Sequence, residues 1–512
     1  MTSEGARSDP DESPDENPVE SPGAELGERA ALVLVFCSSA AVLVVELVAL
    51  RLLAPYLGLT LETSTMVIGI ALAAIAAGSW LGGRYADLVD PRGVLAPLLA
   101  VSGGVVAVTP FVVRGAGETA PGVLLLVAAL TILVPGVLLS AVTPMVTKLR
   151  LLTLEETGTV VGRLSGVGTL GAIVGTVLTG FVLVSRLPVS VILLGLGALL
   201  VAGGVVVAVL LRRQPGRGAA AAALLVVLGG LGAWADPGGC AAETTYHCAD
   251  VVADPAREDG RTLVLDGLRH SYVDLADPTH LEFTYVRAMA AVVDAAFPGD
   301  EALRAYHLGG GGLTLPRYLV AQRPGTDNLV SEIDGGVVGL DRERLALGAD
   351  VATVRVEDGR LGTRRLPDSS RDLVVGDAFG GVSVPWHLTT SEAVAEVRRV
   401  LDEDGVYVLN LIDHGELSFV RAEVATLASE LDHVTVLGNA ADLREPGAGG
   451  GGNFVVVAAD RALDPADLAA GLAERDTGWS VLSGADVTRW VGDARVLTDD
   501  RAPVDQLLQA YG

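Results

Sequence analysis

The chain has one lysine, Lys148, and three cysteines, and its aromatic residues make up only 4% of 512 positions. Three cysteines are too few for a disulfide-stapled scaffold. One lysine beside many arginines reads as genome composition and carries no functional weight. No histidine precedes His247, so polar chemistry is sought in the second half. Basic stripes are missing as well, and a formal net charge of −26 excludes nucleic acid as a partner. That charge is compatible with cationic small molecules. No His and Cys set has ligand spacing, so no metal site is expected. The opening Met1–Glu28 lacks the basic start and early apolar core of a secretory signal. It is rich in Glu, Asp, Pro, Ser and Gly, buries too little apolar surface to fold, and is read as a disordered acidic tail, 1–28.

What is abundant is aliphatic: 50% of residues are hydrophobic and the mean hydropathy is +0.48. The average conceals two unlike halves. A membrane span needs roughly 20 apolar residues, and seven segments approach that: Ala31–Leu50, Thr65–Leu81, Val94–Val113, Gly122–Val142, Leu164–Val184, Val189–Leu211 and the short Ala219–Trp234. Backbone groups in lipid must be satisfied internally, so these are helices. A membrane domain over 29–235 follows, with the bilayer as its partner. Arg84, Arg92, Lys148, Arg150, Arg163, Arg212, Arg213 and Arg217 lie in alternate loops, against Arg51, Arg114 and Arg186 in the others. The positive-inside bias then puts the N-terminus in the cytoplasm and, with a seventh span, the second half outside it. Cys240 and Cys248, in a linker over 236–262, fall on that side and are a disulfide candidate; the alternative is two free thiols. Cys37 lies inside the first span and is read as packing. Glu46, ionisable at membrane depth, is a functional candidate by default; the alternative, favoured here, is that it pairs with Arg51 near the interface. Gly78-x-x-x-Gly82 and Gly171-x-x-x-Gly175 are read as close helix contacts. The stretch Gly83-Arg84-Tyr85-Ala86-Asp87 with Arg92 resembles the loop two-three motif of major facilitator transporters.

From 263 to 512 strand and helix signals alternate, which predicts a parallel sheet covered by helices. Leu263–Gly267 reads as the end of a small hairpin, and His280–Phe297 has helical spacing. A strand, Arg304–Leu308, runs into Gly309, Gly310, Gly311 and Gly312 and then a helix. Glycines there let backbone N–H groups approach a ligand. Glu332 and Asp334 end a second strand, Glu357 and Asp358 a third, and Asp377 a fourth. Ligands of open parallel sheets sit at such strand tips. Any one of these acids could be a helix cap; the set after a glycine loop points to a nucleotide-like ligand. His387 follows the Asp377 strand and is either near the site or a cap. Gly447–Gly452 reads as a flexible hairpin loop.

These residues resemble the spermidine synthase family of aminopropyltransferases. The resemblance runs from Arg261 to Val504 through Leu265-Asp266-Gly267, Gly309–Gly312, Glu332-Ile333-Asp334, Glu357-Asp358, Asp377 and Leu497-Thr-Asp-Asp-Arg-Ala-Pro503. The chain as a whole resembles bacterial proteins that fuse a membrane domain to such a domain. The resemblance implies an α-helical transmembrane bundle followed by an α/β Rossmann-like S-adenosylmethionine-dependent transferase fold. It implies no tightly bound cofactor, with decarboxylated S-adenosylmethionine or S-adenosylmethionine as co-substrate. Gly309–Gly311, Glu332, Asp334, Glu357 and Asp358 would hold it, and Asp377 would be the catalytic base. His270 and Tyr285 would face a small-molecule amine or related nucleophile. The chain departs from the family at Gly312 and at Ala378-Phe379-Gly380, where acids are missing, and at Arg287, whose charge is wrong for a diamine; putrescine is expected to be a poor substrate. The alternatives are a methyltransferase on the same fold, or a non-catalytic exported binding domain on a transporter-like membrane half. A homodimer is left open.

Overall fold

The computed structural model describes residues 26–57, 61–119, 121–151, 157–184, 186–211, 223–227, 230–231, 240–381 and 383–509. Most of the expected acidic tail lies outside the described residues, as does much of the short seventh segment. Among the described residues six helices are long and apolar enough to cross a membrane, over Glu28–Ala54, Leu61–Leu88, Pro91–Gly117, Gly122–Arg150, Thr157–Leu183 and Val189–Leu210. They correspond to α1 (Glu28–Leu57), α2 (Leu61–Leu88), α3 (Pro91–Thr119), α4 (Pro121–Ser140) continued after a turn by α5 (Val142–Arg150), α6 (Thr157–Leu178) and α7 (Val189–Leu210). Leu199 and Phe181 are 72% and 79% exposed on the outside of the bundle. Large uncovered apolar side chains of this kind suit lipid rather than water.

Small residues let the helices close on one another. α3 packs along α7, α1 along α6 and α2 along α4. A Cβ at Gly82 would lie 2.6 Å from the Cα of Ala141, and one at Gly175 would lie 2.7 Å from the carbonyl of Ala40. Both glycine pairs therefore mark helix crossings. Cys37 is free and on the exposed face of α1. The expected Glu46–Arg51 pair does not form among the described residues; Arg51 instead donates to the carbonyl of His247 at 3.4 Å. Residues five apart on a helix point in divergent directions, whereas side-chain pairs form at spacings of three or four.

The second half opens with a four-stranded antiparallel sheet in the order β1 (Ala242–Glu243), β2 (Cys248–Ala253), β3 (Gly260–Leu265) and β4 (Leu268–Asp274). The segment expected to be a linker is thus partly folded. Asp266 and Gly267, both at positive φ, make the tight β3–β4 turn, as a primed hairpin turn requires. Cys240 and Cys248 are joined by a disulfide.

The main sheet has eight strands: β5 (Arg304–Leu308), β6 (Asp327–Glu332), β7 (Thr353–Val356), β8 (Arg371–Gly376), β9 (Leu401–His414), β10 (His433–Gly438), β11 (Gly451–Ala459) and β12 (Ser480–Ser483). Their order is β12-β10-β11-β9-β8-β5-β6-β7. β5 to β9 pair in parallel and β10 to β12 antiparallel. Alternation along β8 divides the core: Val374 joins the apolar layer on one face, and Leu373 and Val375 the layer on the other. Helices α8 (Thr284–Ala296), α9 (Thr314–Gln322), α10 (Gly335–Arg344) and α11 (Gly359–Arg364) accompany the parallel strands. From β5 the chain winds through β6 to β7 on one side, then returns to β8 on the other. The switch point lies between the tips of β5 and β8, where ligands of such sheets bind. β10 and β11 are antiparallel neighbours, and Gly447–Gly450 lies in the connection between them, after the short helix Ala440–Arg444; Gly451 and Gly452 begin β11 itself.

The two halves touch. Glu243 accepts hydrogen bonds from Arg114 at the end of α3, from the first N–H of α7 at Val189, and from Ser190. Asp505 accepts from the N–H of Leu61 at 3.1 Å.

Opening the nine-residue Cys240–Cys248 ring frees the segment that carries Glu243. A ring of that size is worth about 2.5 kcal/mol by loop-closure entropy. Cys240→Ser should lower the thermal midpoint of the purified full chain, and reductant should lower the parent to the same value. Equal midpoints in all three samples would rule out a stabilising cross-link.

Candidate active site

A cavity of about 700 Å³ opens over the tips of β5, β6 and β8. Its floor is the glycine loop. Gly309 has φ +92, and a Cβ there would sit 2.5 Å from the backbone oxygen of Asp377, so no side chain fits between the two strand tips. Gly309 N–H donates to Ser331 O at 3.0 Å, and Asp377 N–H to Leu308 O at 2.9 Å. These bonds extend the ladder into the loop and lock Asp377 beside the glycines. Gly310 N–H donates to Glu332 at 2.7 Å, and the second oxygen of Glu332 accepts from Asp334 N–H at 2.8 Å. Gly312 N–H donates to Ser271 on β4 at 2.8 Å. The missing acid at Gly312 has a steric counterpart: a Cβ there would meet Ser271 Oγ at 2.5 Å.

Gly309, Gly310, Gly311, Glu332, Asp358, Asp377, His270 and Tyr285 all line this one cavity, as does His387. Asp334 and Glu357 are not among its lining residues. Asp334 is fully buried and caps α10 through Gly336 N–H at 2.9 Å, while its other oxygen takes Thr244 Oγ1 and Tyr246 N–H. Glu357 turns to Ser331 and Arg365. Asp358 caps α11 through Leu361 N–H and pairs with His387 Nε2 at 2.8 Å. Burial would raise its carboxyl, but those partners outweigh burial and hold it below the usual carboxylate range. Arg287 points out of the cavity, to the carbonyls of Arg475 and Asp476.

Asp377 is held by two side chains. One oxygen accepts from Asn410 Nδ2 at 2.9 Å and the other from Tyr285 OH at 3.3 Å. Burial pushes it up to about 6, with both hydrogen bonds pulling the other way. Burial, then the adjacent carboxylate, pushes the Tyr285 phenol well above its ordinary value. Tyr285 therefore stays protonated and donates. Burial pushes His270 down, so its imidazole is neutral at pH 7.

Several lining residues escaped the sequence reading. Asn410 is held by Asn453 at 2.9 Å, an amide string that orients Asp377. A lone Asn inside the apolar run Val406–Leu411 was its signal. His247 faces the cavity with Nδ1 on Asp266 at 2.7 Å, and Arg269 stands at the rim over Phe283. Nothing local in sequence marks either one. Among the described residues no His, Cys, Asp and Glu group could hold a metal.

No family model matches the chain. A curated relative from Bifidobacterium longum, described as a probable polyamine aminopropyl transferase, is 28% identical over 297 residues, covering 55% of this chain. The chain spans 64% of that relative's length. Among solved structures, a probable spermidine synthase from Corynebacterium glutamicum is 28% identical over 50% of this chain and 95% of its own, with a TM-score of 0.47. A spermidine synthase in complex with the transition-state analogue AdoDATO is 17% identical over 51% of this chain and 80% of its own, with a TM-score of 0.33. The C-terminal half is homologous to spermidine synthases.

Beside the site, on α10, Asp341 is fully buried, and neither carboxyl oxygen has a hydrogen-bond partner among the described residues. Burial pushes it up to about 8, so it is protonated at neutral pH. A folded state that holds this proton more tightly than the unfolded one loses stability as pH rises toward 8, by at most about 1.4 kcal/mol per pH unit. The loss starts at about pH 4, where the unfolded carboxyl titrates, so the excess in thermal midpoint of Asp341→Asn over the parent should grow steadily from about pH 5 to about pH 8. Parallel pH curves for the two proteins would contradict this.

Proposed function

We propose that the protein is a membrane-anchored aminopropyltransferase of the spermidine synthase type. Its soluble half would transfer the aminopropyl group of decarboxylated S-adenosylmethionine to an amine. The observation that carries this reading is that Glu332 and Asp377 stand on either side of the same glycine floor, in one cavity. Glu332, at the tip of β6, is where a ribose would be gripped. Asp358, just past the tip of β7, and its partner His387, in the short helical turn Trp386–Leu388 after β8, fit the adenine side. Homology to spermidine synthases over this half supports aminopropyl transfer at the level of the family.

Asp377 supplies the chemistry. The amine nitrogen attacks the methylene carbon next to the sulfonium, the C–S bond breaks, and its electron pair stays on sulfur as a neutral thioether. The proton leaving nitrogen goes to the Asp377 carboxylate. A protonated amine has no lone pair, so this acceptor is needed. Enclosure raises the affinity of Asp377 for a proton, which makes it a stronger base than an exposed carboxylate. Asn410 and Tyr285 hold it in one orientation and exclude other rotamers.

Two features support a non-cytoplasmic position for the soluble half. Glu243 rests on the first residue of α7, at the end that the arginine count places outside. α7 runs for 22 residues, about 33 Å at 1.5 Å per residue, and ends on the other side. The chain must return over that distance before Glu243. The Cys240–Cys248 disulfide suits an oxidising space.

Calorimetry on the full chain in nanodiscs should show binding of decarboxylated S-adenosylmethionine and methylthioadenosine. Asp377→Asn should keep methylthioadenosine binding and lower transfer by about 100-fold or more. Transfer by the parent should rise with pH through about 6, as Asp377 loses its proton. No binding of either adenosyl compound at millimolar concentration would sink the reading; a preference for S-adenosylmethionine would favour methyl transfer. For the side of the membrane, Glu445→Cys in a Cys37→Ser background should react with an impermeant maleimide in intact cells. Reaction only after lysis would reverse the assignment.

A further inference from the structure

Resting on the transferase reading above, we infer that the acceptor is an amine whose far end carries a carboxylate, and that Arg269 recognises that end.

The cavity lining holds four carboxylates: Glu282, Glu332, Asp358 and Asp377. Each already has partners. Glu332 takes two backbone N–H groups. Asp358 takes Leu361 N–H and His387. Asp377 takes Asn410 and Tyr285. Glu282 stands half-exposed, 3.4 Å from His280. A diammonium acceptor needs an anion at each end. Beyond Asp377 the wall is amide on one side, through Asn410 and Asn453, and imidazole on the other, through His270 and His247. No buried carboxylate waits for a second ammonium among the described lining residues.

The opposite charge is in place. Arg269 lines the cavity and makes no ion pair among the described residues. Its guanidinium lies 5.1 Å from the ring centre of Phe283. That ring leans on Tyr285 at 6.0 Å, and Tyr285 OH reaches Asp377. An aromatic wall therefore runs from a cation at the rim, whose charge is felt by Asp254 but closes no ion pair with it, to the proton acceptor on the floor. An arginine held against a ring keeps its fork of N–H donors free for a planar carboxylate. An ω-amino acid would lay its chain on this wall, with nitrogen at Asp377 and carboxylate at Arg269. A diamine would bring a second positive charge to Arg269.

The test uses the full chain in nanodiscs, with three probes of the same carbon count: 4-aminobutyrate, putrescine and butylamine. Each is titrated by calorimetry with and without saturating methylthioadenosine. The expected result is that 4-aminobutyrate binds at least about tenfold more tightly than putrescine, the size of one charge-assisted pair. Arg269→Leu should erase that preference and leave methylthioadenosine binding unchanged, and Arg269→Lys should restore part of it. Tighter binding of putrescine, no heat from 4-aminobutyrate, or an unchanged ratio in Arg269→Leu overturns the inference. Failure of methylthioadenosine itself to bind strikes the transferase reading instead.

Discussion

The site depends on one close approach, that of the Gly309 backbone to the backbone of Asp377. With φ +92 and no room for a Cβ, Gly309 brings the tips of β5 and β8 into contact. That contact places the Gly310 N–H under Glu332 and fixes the peptide from which Asp377 rises. A larger residue would part the strands at their switch point, where a parallel sheet must open to admit a ligand. The acids are not arranged by attraction to one another. They are like charges, brought to a common rim by the sheet and each held by its own donors, backbone N–H groups for Glu332 and Asp358 and the Asn410 and Tyr285 side chains for Asp377.

Around this centre, acids divide into those that face the cavity and those that build its frame. Asp334 and Asp266 belong to the frame. Each fixes a piece of the 240–248 segment, Asp334 through Thr244 and Tyr246 N–H, and Asp266 through His247 and Cys248 N–H. The same segment carries Glu243, whose carboxylate meets Arg114 and the start of α7. Nine residues thus touch the helical bundle, the cap of α10 and the cavity wall at once. A buried carboxylate left without these partners would be costly, so the segment has little freedom to choose another position.

Much of this was legible beforehand because it rests on local patterns. Continuous aliphatic runs mark helices, and the Gly309–Gly312 run with acids at strand ends marks the cavity floor and rim. The sequence could not say which acid of a pair faces inward. Asp334 and Glu357 were grouped with Glu332 and Asp358, yet one became a buried helix cap and the other paired with Arg365. Glu357 and Asp358 are adjacent and point opposite ways, whereas Asp334 lies past the end of β6 and is taken up by the first turn of α10. His247 and Arg269 were invisible for another reason. Their place in the wall comes from a small antiparallel sheet folding over a parallel one, a non-local contact that no spacing rule encodes. The expected Glu46–Arg51 pair failed for a reason that was available, since five helical residues rotate the side chains apart.

The short ring closed by Cys240 and Cys248 bears on how the molecule is made. Its two ends are only 8 positions apart in sequence, so the covalent closure requires no part of the eight-stranded sheet. Synthesis runs from the N-terminus, and domains generally fold in that order. The helices are therefore complete while the strands are still being translated. Glu243 can then settle on the finished ends of α3 and α7 as soon as the ring emerges, and the rest of the chain assembles from an anchored first strand. The fusion of the two halves in one polypeptide thereby becomes an instruction for the sequence of assembly.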